Sequence, residues 1–202
     1  MKKLFLYFVA AICWTACSES KEAKAEKLAK KALNGVIVNI DTYEPIETTV
    51  DSAFAPQMTA ETFNIYAQWP NQVRKLADAL EEADRAKTEM SVWEKFYSAI
   101  GKEQYNQAKK KYEFANKQAE EIKEKMQTFV QKQEQYSKEK PVFSGYKVHH
   151  KCRYVNKEGR KTIGEVLFFM NKDLTAVEGM IDMDDEVVRA LIEPFGTQDF
   201  VE

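Results

Sequence analysis

Two kinds of hydrophobic periodicity divide this chain. Apolar and small side chains recur every three or four residues through the middle, and every second residue closer to the end. The first spacing is typical of helices that bury one stripe, and the second is typical of strands that bury one face. The pattern therefore predicts an α+β fold, with a helical middle followed by an antiparallel β-meander.

The clearest stripe lies between residues 102 and 138, where most other positions are Lys, Glu or Gln. Its spacings alternate between three and four as far as Phe129, and Gln133 is its one polar interruption. The stripe consists of Tyr105, Ala108, Tyr112, Ala115, Ala119, Ile122, Met126, Phe129 and Tyr136. The same spacing of three and four occurs upstream, with a shift of one residue at Ala86. The residues that show it are Val73, Leu76, Leu80, Ala83, Met90, Trp93, Tyr97 and Ile100.

These stripes predict two long helices separated by Gly101, which suits a left-handed C-cap. Because the connection is so short, we expect the two helices to fold back as a coiled-coil-like antiparallel hairpin, unless they continue as one long helix. Pro70 fits the first turn of the earlier helix, and Pro141 ends the later one. A separate short helix is expected from Thr59 to Gln68, with Thr59 as its N-cap.

Shorter elements are predicted on either side of the hairpin. Residues 23–33 have the spacing of a short amphipathic helix, which Asn34 and Gly35 end. Residues 36–54 are rich in β-branched side chains but contain Pro45, so we expect an extended or edge segment. Three strands should follow at residues 146–154, 162–170 and 174–181, and the apolar middle one should be covered on both sides.

The first seventeen residues have the pattern of a secretion signal. Lys2 and Lys3 precede ten apolar residues, and Thr15 and Ala16 precede Cys17. The apolar run is too short for a spanning helix. The small residues before Cys17 resemble a bacterial lipobox, which implies that Cys17 is acylated and becomes the mature N-terminus. An ordinary signal peptide with an incidental Cys is the alternative.

Short segments at both ends of the predicted mature chain resemble small uncharacterised envelope lipoproteins of Bacteroidota-type Gram-negative bacteria. The segments that carry the resemblance are Leu33-Asn34, Asp41–Ile46, Asp51–Phe54, Gly145–Lys151 and Phe169–Leu174. The resemblance implies one small α+β domain with long helices inserted, and an outer-membrane lipid anchor. It leaves open whether the protein faces the periplasm or the cell surface.

The patterns and the resemblance together give a domain plan. We expect a signal peptide at residues 1–16, a tether at 17–24 and a helical hairpin at 59–140. A discontinuous α+β domain, in which the meander packs on the short N-terminal helix, should comprise residues 25–58 and 141–184. Residues 185–202 should form a C-terminal tail.

Composition and charge narrow the function classes. The chain has 202 residues, 44% of them hydrophobic, which is enough for a core and argues against disorder. Thirty basic and 32 acidic residues give a formal charge of −2, so nucleic acid is not an expected partner. The sequence contains no Gly-rich phosphate loop, Ser nucleophile elbow or zinc-protease helix.

His149 and His150 are the only histidines, and they point to opposite faces of a regular strand. His150 and Cys152 share a face, but zinc requires three or four ligands, so we expect no metal and no cofactor. Side chains two apart on one face have Cα atoms roughly 6–7 Å apart, too far for a ready nucleophile–base contact. A packed Cys beside a hydrogen-bonded His is the expected arrangement.

The opposite face of the same strand presents a basic stripe, formed by Lys147, His149, Lys151 and Arg153. It is a candidate contact for an anionic partner such as a glycan, a lipid head group or an acidic protein. A solvated strand face crossed by Glu165 is the alternative.

These features predict a lipid-anchored cell-envelope protein of binding or structural type, without catalytic activity. Its expected partner is an envelope protein or a glycan, contacted by the helical hairpin. A holdase-like periplasmic chaperone with helical arms is the alternative, although that type is usually basic and unanchored. An enzyme that uses His150 and Cys152 ranks third.

Overall fold

The computed structural model describes residues 19–186 and 188–190. The predicted signal peptide, Cys17 and most of the predicted tail lie outside these residues. The described chain is a mixture of helices and strands, so the predicted α+β class is confirmed. Its elements are α1 (Lys21–Leu33), β1 (Asn39–Ala55), α2 (Ala60–Trp93), α3 (Ala99–Tyr136), β2 (Val142–Val155), β3 (Lys161–Met170) and β4 (Val177–Asp182).

The described residues form two compact units. The sheet unit runs up to Phe54 and resumes at Phe143–Asp184, whereas the helical unit comprises Ala55–Val142 and the residues from Asp185 onward. The sheet unit therefore contains α1 and nearly all of the four strands. The helical unit contains α2 and α3.

The sheet is antiparallel, with its strands in the order β1-β2-β3-β4. Ten successive residue pairs join β2 to β3, from Tyr146 and Met170 to Val155 and Lys161. Along β2, alternate side chains are buried, as the period of two predicts. All five residues from Val166 to Met170 are buried, which confirms that β3 is covered on both faces.

A hydrophobic core joins α1 to one face of this sheet. Ser20 begins the helix by accepting a hydrogen bond from the Ala23 N–H at 3.1 Å. Ala25, Ala29 and Leu33 are buried on one side of α1, at the spacing of four that an amphipathic helix requires. They belong to one cluster with Tyr43, Tyr146, Val148, Cys152, Val166, Phe168 and Met170.

The two outer strands differ in how well their sequences predict them. β1 lies at the edge of the sheet, as expected, and an edge position tolerates the missing N–H of Pro45. The prediction for the last strand was wrong at its start, because β4 begins at Val177. Leu174 has φ +50°, and the Asn171 side chain accepts from the N–H groups of Thr175 and Ala176 at 2.8 and 3.1 Å. These side-chain hydrogen bonds hold a longer turn where a strand was expected.

In the helical unit, the predicted break before Pro70 was wrong. α2 is continuous from Ala60 through Pro70, with the expected N-cap at Thr59. Proline removes one hydrogen bond within a helix, so the segment around it needs other support. The rings of Tyr66 and Trp69 lie 5.1 and 5.2 Å from that of Phe129, and these edge-to-face contacts hold α2 where Pro70 weakens it.

The same ring contacts place the start of α2 beside the end of α3. At their other ends, the Lys111 ammonium lies 3.4 Å from the Glu89 carboxylate. All stripe residues from Tyr105 to Phe129 are buried or half-buried. On α2, Leu80 is exposed and Ala79 is buried in its place, so that stripe assignment was wrong by one residue.

The connection between the two helices also differs from its prediction. Gly101 lies in the first turn of α3, not at a C-cap, and its N–H donates to the Ser98 hydroxyl at 3.0 Å. A Cβ on Gly101 would lie 2.4 Å from the Phe96 carbonyl oxygen, so only glycine fits. No helix among the described residues is long and apolar enough to span a bilayer.

Candidate functional site

His150 is a residue of β2, and its side chain is fully buried where β2 lies beside β1. Its Nε2 lies 2.7 Å from the Tyr43 hydroxyl, and its Nδ1 lies 2.9 Å from the Thr48 hydroxyl. A neutral imidazole donates from one nitrogen and accepts at the other, and hydroxyls can fill either role. Burial, with a smaller contribution from His149, lowers the pKa of His150 to about 4. The ring is therefore neutral at pH 7 and joins the edge strand to its neighbour.

Cys152 lies two residues further along the same buried face, and 1% of its surface is exposed. Burial, with a smaller effect of Asp184, raises the pKa of its thiol to about 11. Nucleophilic chemistry requires a thiolate, which this environment disfavours at neutral pH. Cys152 is thus packed and His150 is hydrogen-bonded, as the strand pattern predicts, and the surroundings favour the neutral form of both.

Within the part of the chain that the structure describes, no group of three or more His, Cys, Asp or Glu side chains is placed so that it could hold a metal ion.

The basic stripe on the other face of β2 is interleaved with acidic side chains. Nε2 of His149 lies 2.7 Å from the Glu165 carboxylate, and the Arg153 guanidinium lies 3.3 Å from the Glu44 carboxylate. Lys147 and Lys151 are half-buried. The pairing weakens the local positive field, and the anionic-partner contact stays a prediction.

Four exposed apolar side chains of the helical unit, including the two most exposed ones among its described residues, lie where α2 ends and α3 begins. Tyr97 is 93% exposed, Ile100 69%, Phe96 53% and Val92 48%, and the half-buried Trp93 ring lies 5.5 Å from that of Phe96. We refer to these five residues as the tip. Isolated exposed hydrophobic residues are common on protein surfaces, but a group of five on one short segment indicates a binding surface.

Sequence reasoning missed the tip because it assigned Trp93, Tyr97 and Ile100 to the helix stripe. The spacing of three and four continues through them, although the helix itself ends at Trp93. The available signal was Ser98, since serine is a preferred N-cap and marks the start of a new helix three residues before Gly101.

Local hydrogen bonds hold the tip in a fixed conformation. The N–H groups of Glu94, Lys95 and Phe96 donate to the carbonyls of Met90, Val92 and Trp93 at 2.9, 3.4 and 3.0 Å. Gly101 lies so close to Phe96 that a Cβ at position 101 would clash with the Phe96 carbonyl oxygen. The aromatic side chains are therefore displayed on an ordered turn.

A cleft of about 330 Å³ lies at the other end of the helix pair, between the start of α2 and the end of α3. Three threonines line it, but the hydroxyls of Thr59 and Thr62 form the capping box of α2. The hydroxyl of Thr128 donates to the carbonyl four residues before it. The other polar residues that line the cleft are Lys125, Lys132, Glu61 and Tyr136, so its lining carries both signs of charge.

Comparisons of the chain with protein-family models, with curated proteins and with solved structures found no match. The assignment of function below therefore rests on the residues and geometry of this chain.

Proposed function

We propose that this protein is a lipid-anchored component of the cell envelope, of binding or structural type. Acylation of Cys17 would attach it to the outer membrane, and α2 and α3 would form a coiled-coil-like helical hairpin that presents the tip to a partner. The proposal places no catalytic step on the chain. The single observation that carries the binding role is the ordered, exposed apolar tip.

The anchor is supported by the sequence before the described residues. A positively charged start, a run of ten apolar residues and small residues before Cys17 form the pattern of a lipoprotein signal. Two acyl chains are enough for stable attachment, because each buried methylene contributes roughly 0.8 kcal/mol. The predicted tether is shorter than expected, because α1 already begins at Lys21, and the polar residues 18–20 before it would form the link to the lipid.

The helix pair supports the role of an arm. α2 has 34 residues and α3 has 38, so each extends for roughly 50–57 Å at 1.5 Å per residue. Their buried alanines, such as Ala83 and Ala115, allow close approach of the two helices. A long, closely packed pair of this kind would carry the tip on a stiff support.

The state of His150 and Cys152 supports a role other than catalysis. Both side chains are buried, and both are held in their neutral forms at pH 7. The two imidazole nitrogens are engaged by Tyr43 and Thr48. A nucleophile–base pair needs an accessible thiolate and a base within reach of it, and neither condition is favoured here.

The anchor is tested by mass spectrometry and by membrane fractionation after a carbonate wash, which releases peripheral proteins. We expect the wild-type protein to carry acyl groups on Cys17 and to stay in washed membranes. Cys17→Ser should lose both properties, whereas the matched Cys13→Ser variant should keep them. Retention of Cys17→Ser in washed membranes would refute the lipid anchor.

The binding role is tested in cells with a photo-crosslinking amino acid at Tyr97, and in a separate protein at Lys110. Both positions are exposed, but only Tyr97 belongs to the tip. We expect crosslinks from position 97 to a protein, glycan or lipid of the envelope, and few from position 110. Equal crosslinking from both positions would contradict a dedicated binding tip.

A holdase-like chaperone with helical arms is the second candidate, because exposed apolar side chains at the end of a helix pair could also hold unfolded proteins. The test is aggregation of a chemically unfolded client, followed by light scattering with and without this protein. Suppression that disappears in a Tyr97→Ser/Ile100→Ser variant would favour the chaperone. No suppression would remove it.

A further inference from the structure

We propose that the tip inserts into the interfacial layer of a zwitterionic lipid bilayer. This inference rests on the proposed function, since it names the partner of the same helical arm. It is argued from the residue types of the tip, the hydrogen bonding of its backbone, its charge balance and its size.

The side chains of the tip are those that favour the boundary between lipid and water. Trp93, Phe96 and Tyr97 are aromatic, and Val92 and Ile100 are aliphatic. Aromatic rings with a polar group, as in Trp and Tyr, accumulate at the headgroup level of membranes. Tyr97, with 93% of its surface exposed, and Ile100, with 69%, would gain most from leaving water.

Part of the backbone around the tip is already paired. An unpaired N–H or C=O group costs several kcal/mol in hydrocarbon, which excludes most irregular loops from it. Here the N–H groups of residues 94–96 are bonded within the turn, and the Ser98 hydroxyl accepts the Gly101 N–H. These four N–H groups would stay paired at the headgroup level.

The charged side chains beside the tip indicate whether it would prefer anionic or zwitterionic lipids. Glu94 and Lys95 lie within the connection, and Lys102 and Glu103 lie in the first turns of α3. Two acids and two bases give no local excess of positive charge, so anionic lipids gain little attraction from them. Insertion should depend on the apolar side chains and should respond weakly to salt.

The size of the tip also favours a bilayer over a protein partner. A stable protein interface takes about 800 Å² and roughly 20–30 residues from each side. The tip has five residues, which lie in the last turn of α2, the connection and the first turn of α3. A bilayer interface deforms around such a small apolar projection and needs no complementary groove.

The test measures quenching of Trp93 by brominated phosphatidylcholine in vesicles, using the mature chain from residue 17 onward with Cys17→Ser, because the apolar run of the signal peptide would itself bind the vesicles. Subtracting the signal of a Trp93→Phe variant removes the contribution of Trp69. We expect Trp93 to be quenched by bromines near the headgroups. Adding anionic lipid or salt should change the half-saturating lipid concentration by less than about threefold, because the local charge is balanced.

Tyr97→Ser/Ile100→Ser should raise the lipid concentration for half-maximal Trp93 quenching by about tenfold or more, since two exposed apolar groups are lost. Phe114→Ser is the matched control, because Phe114 is 64% exposed but lies in the middle of α3. That variant should quench like the parent. Circular dichroism should show the serine variants folded, because Tyr97, Ile100 and Phe114 are exposed.

Three results would overturn the inference: no quenching of Trp93, equal quenching in the double variant, or quenching only with anionic vesicles. The crosslinking experiment separates these failures from failure of the proposed function. Protein or glycan crosslinks at position 97 without vesicle quenching would leave the binding arm in place and exclude the bilayer as its partner. Absence of both signals would refute the binding arm as well.

Discussion

His150 shows how one buried side chain can make an edge strand depend on pH. Its pKa is lowered from 6.5 to about 4 in the folded protein, so the unfolded chain binds more protons between these values. The stabilisation is fully present above pH 6.5 and is lost as the pH falls towards 4. The whole effect is on the order of 3 kcal/mol, at about 1.4 kcal/mol for each pKa unit.

We therefore predict that the free energy of unfolding of the wild-type protein falls more steeply from pH 6.5 to 4 than that of His150→Gln. Glutamine can donate and accept hydrogen bonds but does not titrate in this range. Urea unfolding at several pH values measures the difference between the two proteins. NMR should show an imidazole signal that titrates near pH 4 and is absent from His150→Gln. A signal that titrates near 6.5 in its place would contradict a buried neutral ring.

Cys152 gives a second prediction for a single residue. In a chain with Cys13→Ser and Cys17→Ser it is the one remaining thiol. Because it is 1% exposed and its thiol pKa is about 11, it should react with a maleimide only after unfolding. Labelling followed by mass spectrometry, with and without urea, measures this. Rapid labelling of the folded chain would show that the core opens readily.

Among the helices, the connection from α2 to α3 depends on Gly101. A Cβ at this position would lie 2.4 Å from the Phe96 carbonyl oxygen, so Gly101→Ala should destabilise the helical unit by about 1–3 kcal/mol. Gly35→Ala is the matched control, because a Cβ there would meet nothing within 4 Å. Thermal unfolding followed by circular dichroism should separate the two variants. Equal stability would mean that the connection can shift to accept a methyl group.

Gln133 is a defect within the contact between the two long helices. Its side-chain Nε2 is buried and has no hydrogen-bond partner among the described residues. An unsatisfied buried donor costs about 1–3 kcal/mol, so Gln133→Leu should stabilise the helical unit by about that amount. Gln131→Leu, at an exposed position of the same helix, should leave stability nearly unchanged. Destabilisation by Gln133→Leu would show that the amide makes a needed contact.

The helix stripes could be predicted from the sequence because burial follows the spacing of three and four, as at Ala108 and Ala119. One stripe prediction was wrong because the more hydrophobic of two neighbouring residues is not the buried one. Leu80 is more apolar than Ala79, yet the small alanine faces α3 because the helices pack closely there. Pro70 indicates a helix start in isolation, and only the aromatic contacts formed in the folded unit reveal a continuous helix.

For the whole molecule, the sequence predicted the strands of the meander but not what His150 contacts. The alternation along β2 depends on residues that are neighbours in the chain, so it is visible locally. The hydrogen bonds that the His150 ring forms with the hydroxyls of Tyr43 and Thr48 join residues more than 100 positions apart. Such contacts follow from the pairing of β1 with β2, which local spacing does not specify.

The core cluster that joins α1 to the sheet contains no residue of α2 or α3. It draws only on residues up to 54 and from 143 onward. The rings of Phe54 and Phe143 contact each other, with centroids 6.3 Å apart. If residues 55–142 were removed, the two chain ends left behind would therefore lie close together. A short Asn-Gly turn could therefore join β1 directly to β2 as a hairpin.

Replacing residues 55–142 by such a turn should leave a folded sheet unit. Its core and the His150 contacts with Tyr43 and Thr48 all lie in the retained residues. We expect cooperative unfolding, a thiol at Cys152 that stays protected from maleimide, and a His150 imidazole signal that still titrates near pH 4. A variant that also carries Val148→Asp, which places an unpaired charge at a fully buried position, should fail to fold and serves as the negative control. Loss of thiol protection in the excised chain alone would mean that the helices are required to complete the sheet.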